Sequence, residues 1–266
     1  MRNIVLFDLD GTLTPARKPM VTSTADVLCQ LSEYADIGIV TGSPIEYVRQ
    51  QASLLWEVLE NPGRLTIMPC NGTQLYTWNG MDYEEKESAS MRDHLNEDKY
   101  RRLVWILLNL QVNMVEGMEI PLSGNFISYR GSMLNWCMIG RDSGSAERDM
   151  FTEVDVKFGI RKKLSEALVQ NLKEFGIEGI DHAIGGNTSI DIYPTGWDKR
   201  YALKHVTGYD NVYFVGDKCK PGGNDYALYN ELEEGSRFMT SGPAITEEIV
   251  LEKILPASKA AQLQFE

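Results

Sequence analysis

The sequence predicts an α/β protein: a parallel-sheet core interrupted by an inserted α+β domain. Three observations carry this. The runs Asn3-Ile4-Val5-Leu6-Phe7, Ile37-Gly38-Ile39-Val40 and Val212-Tyr213-Phe214-Val215 are short, almost unbroken and rich in apolar residues, which reads as strands buried on both faces. Helical stretches alternate with strands near both ends of the chain. In the middle, strands and helices cluster instead of alternating, the pattern of an α+β insertion.

The strand at 3–7 runs into Asp8-Leu9-Asp10-Gly11-Thr12, and a turn with Pro15 and Pro19 precedes a helix over 22–34. The strand at 37–40 ends at Thr41-Gly42-Ser43-Pro44. Ser43 fits the N-cap of the next helix and Pro44 its first turn. Asn61-Pro62-Gly63 stops that helix after Leu59. A short strand at 65–68 leads to the turn Pro69-Cys70-Asn71-Gly72. A charged segment, 81–99, precedes a helix over 98–110 and strands over 126–130 and 133–139. Helices over 145–158 and 161–175 and strands over 177–184 and 188–193 follow. Trp197-Asp198-Lys199-Arg200 opens another helix, and the strand at 212–215 ends at Gly216-Asp217. The polar residues 258–266 read as a frayed tail. These elements divide the chain into a core of residues 1–81 and 188–266 and a cap of residues 82–187.

The 266 residues suffice for one large domain or two ordinary ones. A net charge of −12 and a pI near 4.8 argue against nucleic acid or an anionic membrane as partner. The longest apolar run, Leu103 to Leu108, is far too short to span a bilayer. The N-terminus enters a strand directly and reads as no signal peptide. Cys29, Cys70, Cys137 and Cys219 lie far apart and read as reduced thiols of a cytoplasmic protein.

Two carboxylates at the end of a buried strand are costly unless something pairs them. Asp8 is the candidate nucleophile, since a carboxylate that takes a phosphoryl group splits one hard displacement into two easier ones. Asp10, two residues on and pointing the same way by strand alternation, suits a general acid and base. Asp217 completes an all-oxygen set that suits Mg²⁺ better than zinc. Ser43 at a helix N-terminus is a phosphate cradle, and Lys199 supplies a point charge for the same phosphate. Gly222-Gly223-Asn224-Asp225 lets backbone pass close to the site, with Asp225 placed to support the metal or orient Lys199. In an open parallel sheet the C-terminal ends of the strands are where ligands bind.

Asp8-x-Asp10-Gly-Thr, Thr41-Gly-Ser43, Lys199 and Gly216-Asp217 resemble the four motifs of the haloacid-dehalogenase superfamily of phosphotransferases. More narrowly, the chain resembles the eukaryotic-type phosphomannomutases over most of its length. The matching stretches are Phe7 to Arg17, Met133-Leu134-Asn135, Ile139-Gly140-Arg141, Glu147-Arg148, Ile184-Gly185-Gly186 with Ser189 and Asp191, Gly196 to Tyr201, and Gly216-Asp217-Lys218 with Pro221 to Asp225. The resemblance implies a Rossmann-like core of haloacid-dehalogenase type with an α+β cap. It implies that Asp8 is phosphorylated and that Asp10 gives and takes the proton. Asp8, Asp217 and the backbone carbonyl of Asp10 would bind Mg²⁺. Arg17, Arg130, Arg141, Arg148, Ser189 and Asp191 would hold the sugar phosphate. The implied activity interconverts mannose 6-phosphate and mannose 1-phosphate, with a hexose 1,6-bisphosphate as activator and GDP-mannose supply as its use. The implied assembly is a homodimer through the cap.

The residues support this independently on one point. A doubly phosphorylated sugar needs a second anion site, and Arg130, Arg141 and Arg148 all fall in the inserted domain. Arg148 lies in the first turn of its helix, where a cation opposes the macrodipole unless an anion binds with it. The alternative is a sugar phosphatase on the same core, in which water replaces the sugar hydroxyl as acceptor. Two positions depart from the family. Cys70 stands where the family has an acidic residue before Asn-Gly, and Tyr229-Asn230-Glu231 matches a second cation loop only loosely.

Overall fold

The computed structural model describes residues 2–117 and 119–263. In chain order, the first unit contains β1 (Asn3–Phe7), α1 (Thr22–Ser32), β2 (Asp36–Val40), α2 (Ile45–Val58), β3 (Leu65–Met68), β4 (Gln74–Trp78) and β5 (Tyr83–Ser88). The second unit contains α3 (Met91–Leu95), α4 (Glu97–Gly117), β6 (Ile127–Tyr129), β7 (Leu134–Cys137), α5 (Ser145–Phe158), α6 (Ile160–Glu174), β8 (Ile180–Gly185) and β9 (Ser189–Pro194). The chain then returns to the first unit with a 3₁₀ helix (Lys199–His205), β10 (Asn211–Gly216), α7 (Tyr226–Glu231), β11 (Arg237–Met239), α8 (Pro243–Ile249) and α9 (Leu255–Leu263).

The core is a seven-stranded sheet in the order β11-β10-β1-β2-β3-β4-β5. Its strands are parallel from β11 to β3, and β4 and β5 are antiparallel additions. The alternation of side chains along β1 feeds two apolar layers. Val5 and Phe7 pack with α1, α2 and the C-terminal helices, whereas Ile4 and Leu6 pack with Ala202, Val206 and Leu228. Helices therefore cover both faces, which is why the sheet's strands read as continuous apolar runs. The chain leaves β1 for β2 on one side and comes back as β10 on the other. This is a topological switch point, and the crevice outside its strand ends is where such sheets bind ligands.

The cap is a four-stranded antiparallel sheet in the order β6-β7-β9-β8. Helix α6 packs on α4, α5, β8 and β9. Buried Gln111 of α4 ties helix to sheet: it accepts from Trp136 Nε1 at 2.7 Å and donates to the Met138 carbonyl at 2.9 Å.

Several boundaries differ from the sequence reading. The units divide at Ser88/Ala89 and Gly196/Trp197, not at 81/82 and 187/188. β5 pairs with β4, which keeps residues 83–88 in the core sheet. β9 pairs with β7 and β8, which places Ser189 and Asp191 in the cap sheet. Residues 255–263 form α9 instead of a frayed tail, while 264–266 lie outside the described residues. Among the described residues no helix is long and apolar enough to cross a membrane.

Candidate active site

β1 ends at Phe7, so strand alternation does not govern Asp8 and Asp10. Residues 8–14 form a turn in which the Leu9 carbonyl accepts from the Leu13 and Thr14 amides at 2.9 and 3.0 Å. The Asp8 amide still donates to the Val215 carbonyl at 3.0 Å. That bond extends the β1–β10 ladder by one residue and fixes the Asp8 backbone.

Lys199 begins the 3₁₀ helix, whose N-cap Asp198 accepts from the Arg200 amide at 2.9 Å. The Lys199 ammonium is fully buried and sits between two carboxylates, those of Asp8 and Asp225. The bond to Asp225 Oδ1 is 2.5 Å. The other oxygen of Asp225 accepts from the Lys218 amide at 2.9 Å. A ligand atom from each of Asp8, Asp217 and Asp225 lies within 4.8 Å of the others. Gly11 permits this crowding. Its φ is +84°, and a Cβ there would stand 2.7 Å from Asp217 Oδ2.

Burial pushes the Asp8 carboxyl well above the usual carboxylate range, and the Asp225 and Asp217 charges add to that against the Lys199 ammonium. Asp217 is pushed up to about 6, by burial first and then by Asp225. Burial alone would lower the Lys199 ammonium, but the Asp225 and Asp8 charges outweigh it and hold the group well above its ordinary value. With every group ionised, three carboxylates against one ammonium leave a net charge of −2 in a cluster whose members are buried except for half-buried Asp217. A hard dication such as Mg²⁺ fits both the oxygen donors and the missing charge. Asp8, Asp217 and Asp225 are the side chains that would hold it.

Asp10 lies beside this cluster in sequence but makes different contacts. Its Oδ1 accepts from the Arg17 amide at 2.8 Å and from the Tyr47 hydroxyl at 2.8 Å. Arg17 is exposed and adopts a φ of +61°, a strained state for a residue with a Cβ. Ser43 is not the N-cap of α2. Pro44 holds that place, with no side-chain cap. Ser43 instead takes a bond from its amide to Thr41 Oγ1 at 3.1 Å and accepts from the Cys70 amide at 3.1 Å. Cys70 and Asn71 both have positive φ, +50° and +66°, which turns the chain sharply after β3.

The predicted cap residues gather largely into one network. Arg141 Nη1 donates to Asn135 Oδ1 at 2.8 Å, and Asn135 Nδ2 donates to Asp191 Oδ1 at 2.6 Å. Arg148 reaches back from the first turn of α5 to the Ser143 carbonyl at 3.0 Å, the Arg141 carbonyl at 2.8 Å and Thr188 Oγ1 at 2.7 Å. Ser189 is buried beside Thr188. Gly185 makes room for Asp191, since a Cβ there would lie 2.4 Å from its Oδ2. Arg130 sits in the β6–β7 turn, its amide donating to the Met133 carbonyl at 2.9 Å. Sequence reasoning assigned no role to Tyr47 or Asn135. Asn135 stood inside a matching stretch, a signal that was present; Tyr47 stood in none.

The fold is of haloacid-dehalogenase type, a parallel sheet with an inserted cap, and the carboxylate–lysine cluster lies at its switch point. Two phosphatase structures share its architecture. Plasmodium falciparum IMP-nucleotidase superposes with a TM-score of 0.71 at 12% identity, over 95% of this chain and 68% of that one. The C-terminal domain of C. albicans trehalose-6-phosphate phosphatase superposes at 0.61 and 13% identity, over 94% of this chain and 90% of that one. At such identities the likeness shows fold alone. Residues 24–255 match the eukaryotic phosphomannomutase family, and the chain belongs to that family of enzymes. The phosphomannomutase of Schizosaccharomyces pombe is 34% identical over 231 residues, covering 86% of this chain and 85% of that protein. That of Saccharomyces cerevisiae is 36% identical over 229 residues, covering 85% and 84%.

Proposed function

We propose that this chain interconverts mannose 6-phosphate and mannose 1-phosphate through an aspartyl-phosphate at Asp8 and a hexose 1,6-bisphosphate, for GDP-mannose supply. The observation that carries the reading is the cluster of buried Asp8, Lys199 and Asp225 with half-buried Asp217 at the β1–β10 switch point. Lys199 fixes the Asp8 carboxylate and presents positive charge where a transferring phosphoryl group develops negative charge. Mg²⁺, when bound, supplies Lewis-acid neutralisation of phosphoryl oxygens. Asp10 serves as the proton donor and acceptor for the sugar oxygen. Arg141, Arg148, Ser189 and Asp191, with Arg130 and Arg17, hold the substrate's other phosphate and sugar, and Ser43 contributes at the loop before α2. The cap arginines favour a mutase over a phosphatase, because hydrolysis needs no second phosphate grip.

The assembly we propose is a homodimer through the cap. Trp105, Leu108 and Val112 support it: they lie on one side of α4 at helical spacing and are 48%, 51% and 63% exposed. The four free cysteines fit a reducing, cytoplasmic setting.

The test is a coupled assay of both hexose 1-phosphates with Mg²⁺, with and without the 1,6-bisphosphate, while free phosphate is monitored. Isomerisation that requires the bisphosphate and releases little phosphate is the expected result. Steady phosphate release with no isomerisation would select the phosphatase and overturn the proposal.

A further inference from the structure

We infer that Tyr47 is a positioning residue for proton transfer and that Asp10 works through its Oδ2 oxygen. The inference rests on the reading of Asp10 as acid and base. Tyr47 is the third residue of α2, and its ring packs against the core cluster that contains Leu13 and Met20. Its hydroxyl donates to Asp10 Oδ1 at 2.8 Å, across 37 positions of sequence. The Arg17 amide donates to the same oxygen at 2.8 Å. An sp² carboxylate oxygen has two lone pairs, so these two donors occupy Oδ1. A proton carried on Oδ1 would face two hydrogens already directed at it. Oδ2 takes no hydrogen bond from the described residues and is the oxygen left to carry the proton.

Two fixed donors on one oxygen also fix the plane of the carboxylate. The Arg17 amide comes from a residue at φ +61°, so Asp10 holds a strained turn while that turn holds Asp10. The Tyr47 side comes from a helix whose inner face is packed. Oδ2 is thereby presented in one direction, which is what a group that gives and then retrieves a proton needs.

In the forward step the Asp8 carboxylate oxygen bonds to phosphorus and the bond from phosphorus to the sugar oxygen breaks. The departing sugar oxygen takes the proton from Asp10 Oδ2, leaving Asp10 ionised. In the reverse step a sugar hydroxyl passes its proton to Oδ2 as its oxygen attacks phosphorus, and the Asp8 carboxylate leaves. A donor whose leaving group is already a stable anion, such as acetyl phosphate, needs no proton. Acetate departs as it is.

This difference isolates Tyr47. The rate of Asp8 phosphorylation by a hexose 1,6-bisphosphate is measured in single turnover with Mg²⁺ and divided by the rate with acetyl phosphate. The ratio cancels the folded and metal-loaded fraction, so a merely structural effect does not move it. In Tyr47→Phe, which keeps the ring, the ratio is expected to fall about 10- to 100-fold, the worth of one hydrogen bond to a charged group. Asp10→Asn is the reference and should lower the ratio further. An unchanged ratio in Tyr47→Phe with a lowered ratio in Asp10→Asn overturns the role of Tyr47 alone. An unchanged ratio in Asp10→Asn overturns the acid–base reading and the inference with it.

Discussion

The core cluster and the cap network hold charge in opposite ways. In the core, Lys199 is buried between Asp8 and Asp225, charge against charge. In the cap, Arg141 and Arg148 donate to neutral oxygens: the Asn135 side chain, the Thr188 hydroxyl and the carbonyls of Arg141 and Ser143. Ion pairing cancels charge and commits a group to its place. Bonding to neutral oxygens orients a guanidinium in a fixed direction. The core is therefore built with an anionic excess that calls for a dication, and the cap with oriented cations that suit a phosphate.

The largest expected effect lies in the core. Asp8→Asn removes the proposed nucleophile and should lower turnover by about 10,000-fold or more, the scale seen when a covalent nucleophile is lost. Phosphoprotein formation from labelled bisphosphate should vanish with it, while the melting temperature stays near or above that of the parent. Retained phosphoprotein would remove Asp8 from the reaction.

Next in size is the cost of breaking the buried pairing. Lys199→Met leaves the Asp8 and Asp225 carboxylates buried without their ammonium, and removing one member of a buried ion pair costs about 3–5 kcal/mol. Urea unfolding of the metal-free protein measures this. A loss below about 1 kcal/mol would mean that the site relaxes or takes up protons at little cost, and that the core is no more committed than the cap.

The cap should answer differently. Asn135→Ala removes the link between Arg141 and Asp191 and should raise KM for the hexose phosphate roughly 10-fold, the worth of about 1.4 kcal/mol, with a smaller change in kcat. A fall in kcat at constant KM would place Asn135 with the chemistry and erase the division of labour between the two regions.

How much of this the residues alone disclosed depends on burial. β1, β2, β3 and β10 were legible because strands covered on both faces must be apolar throughout. β5 was not, since Tyr83-Glu84-Glu85-Lys86-Glu87-Ser88 has only Tyr83 buried, and a charged edge strand protects the sheet from further pairing. β9 was placed in the wrong unit because strand pairing, which is tertiary, decides where Ser189 and Asp191 belong. Asp8, Lys199 and the acidic loop with Asp225, which the fold brings together, were readable as local motifs with ordered spacing. Tyr47 was not: it is one partly apolar residue on an amphipathic helix, and only the approach of the Asp10 turn gives it a task.

The smallest effect tests the comparison by sign. Asp217 carries a folded-state pKa of about 6 against an ordinary 3.8, so the folded core binds the proton more readily than the unfolded chain does. Stability of the metal-free core should then rise as pH falls from above 6 toward 4, since the slope follows the excess of protons bound by the folded state. His182 of β8 behaves oppositely. Burial lowers its pKa below the ordinary 6.5, against the nearby Asp181 charge. Its contribution is present above pH 6.5 and is lost as pH falls through the lowered value. Amide exchange of the metal-free protein at pH 7.5 and 5.5, corrected for intrinsic rates, should show β1 and β10 gaining protection while β8 and β9 lose it. Mg²⁺ should remove the core's gain by favouring the ionised carboxylates, and His182→Gln should remove the cap's loss. Protection moving the same way in both units would show that one shared opening governs them, and the contrast between the carboxylate–lysine cluster and the Arg141–Arg148 network would have no bearing on stability.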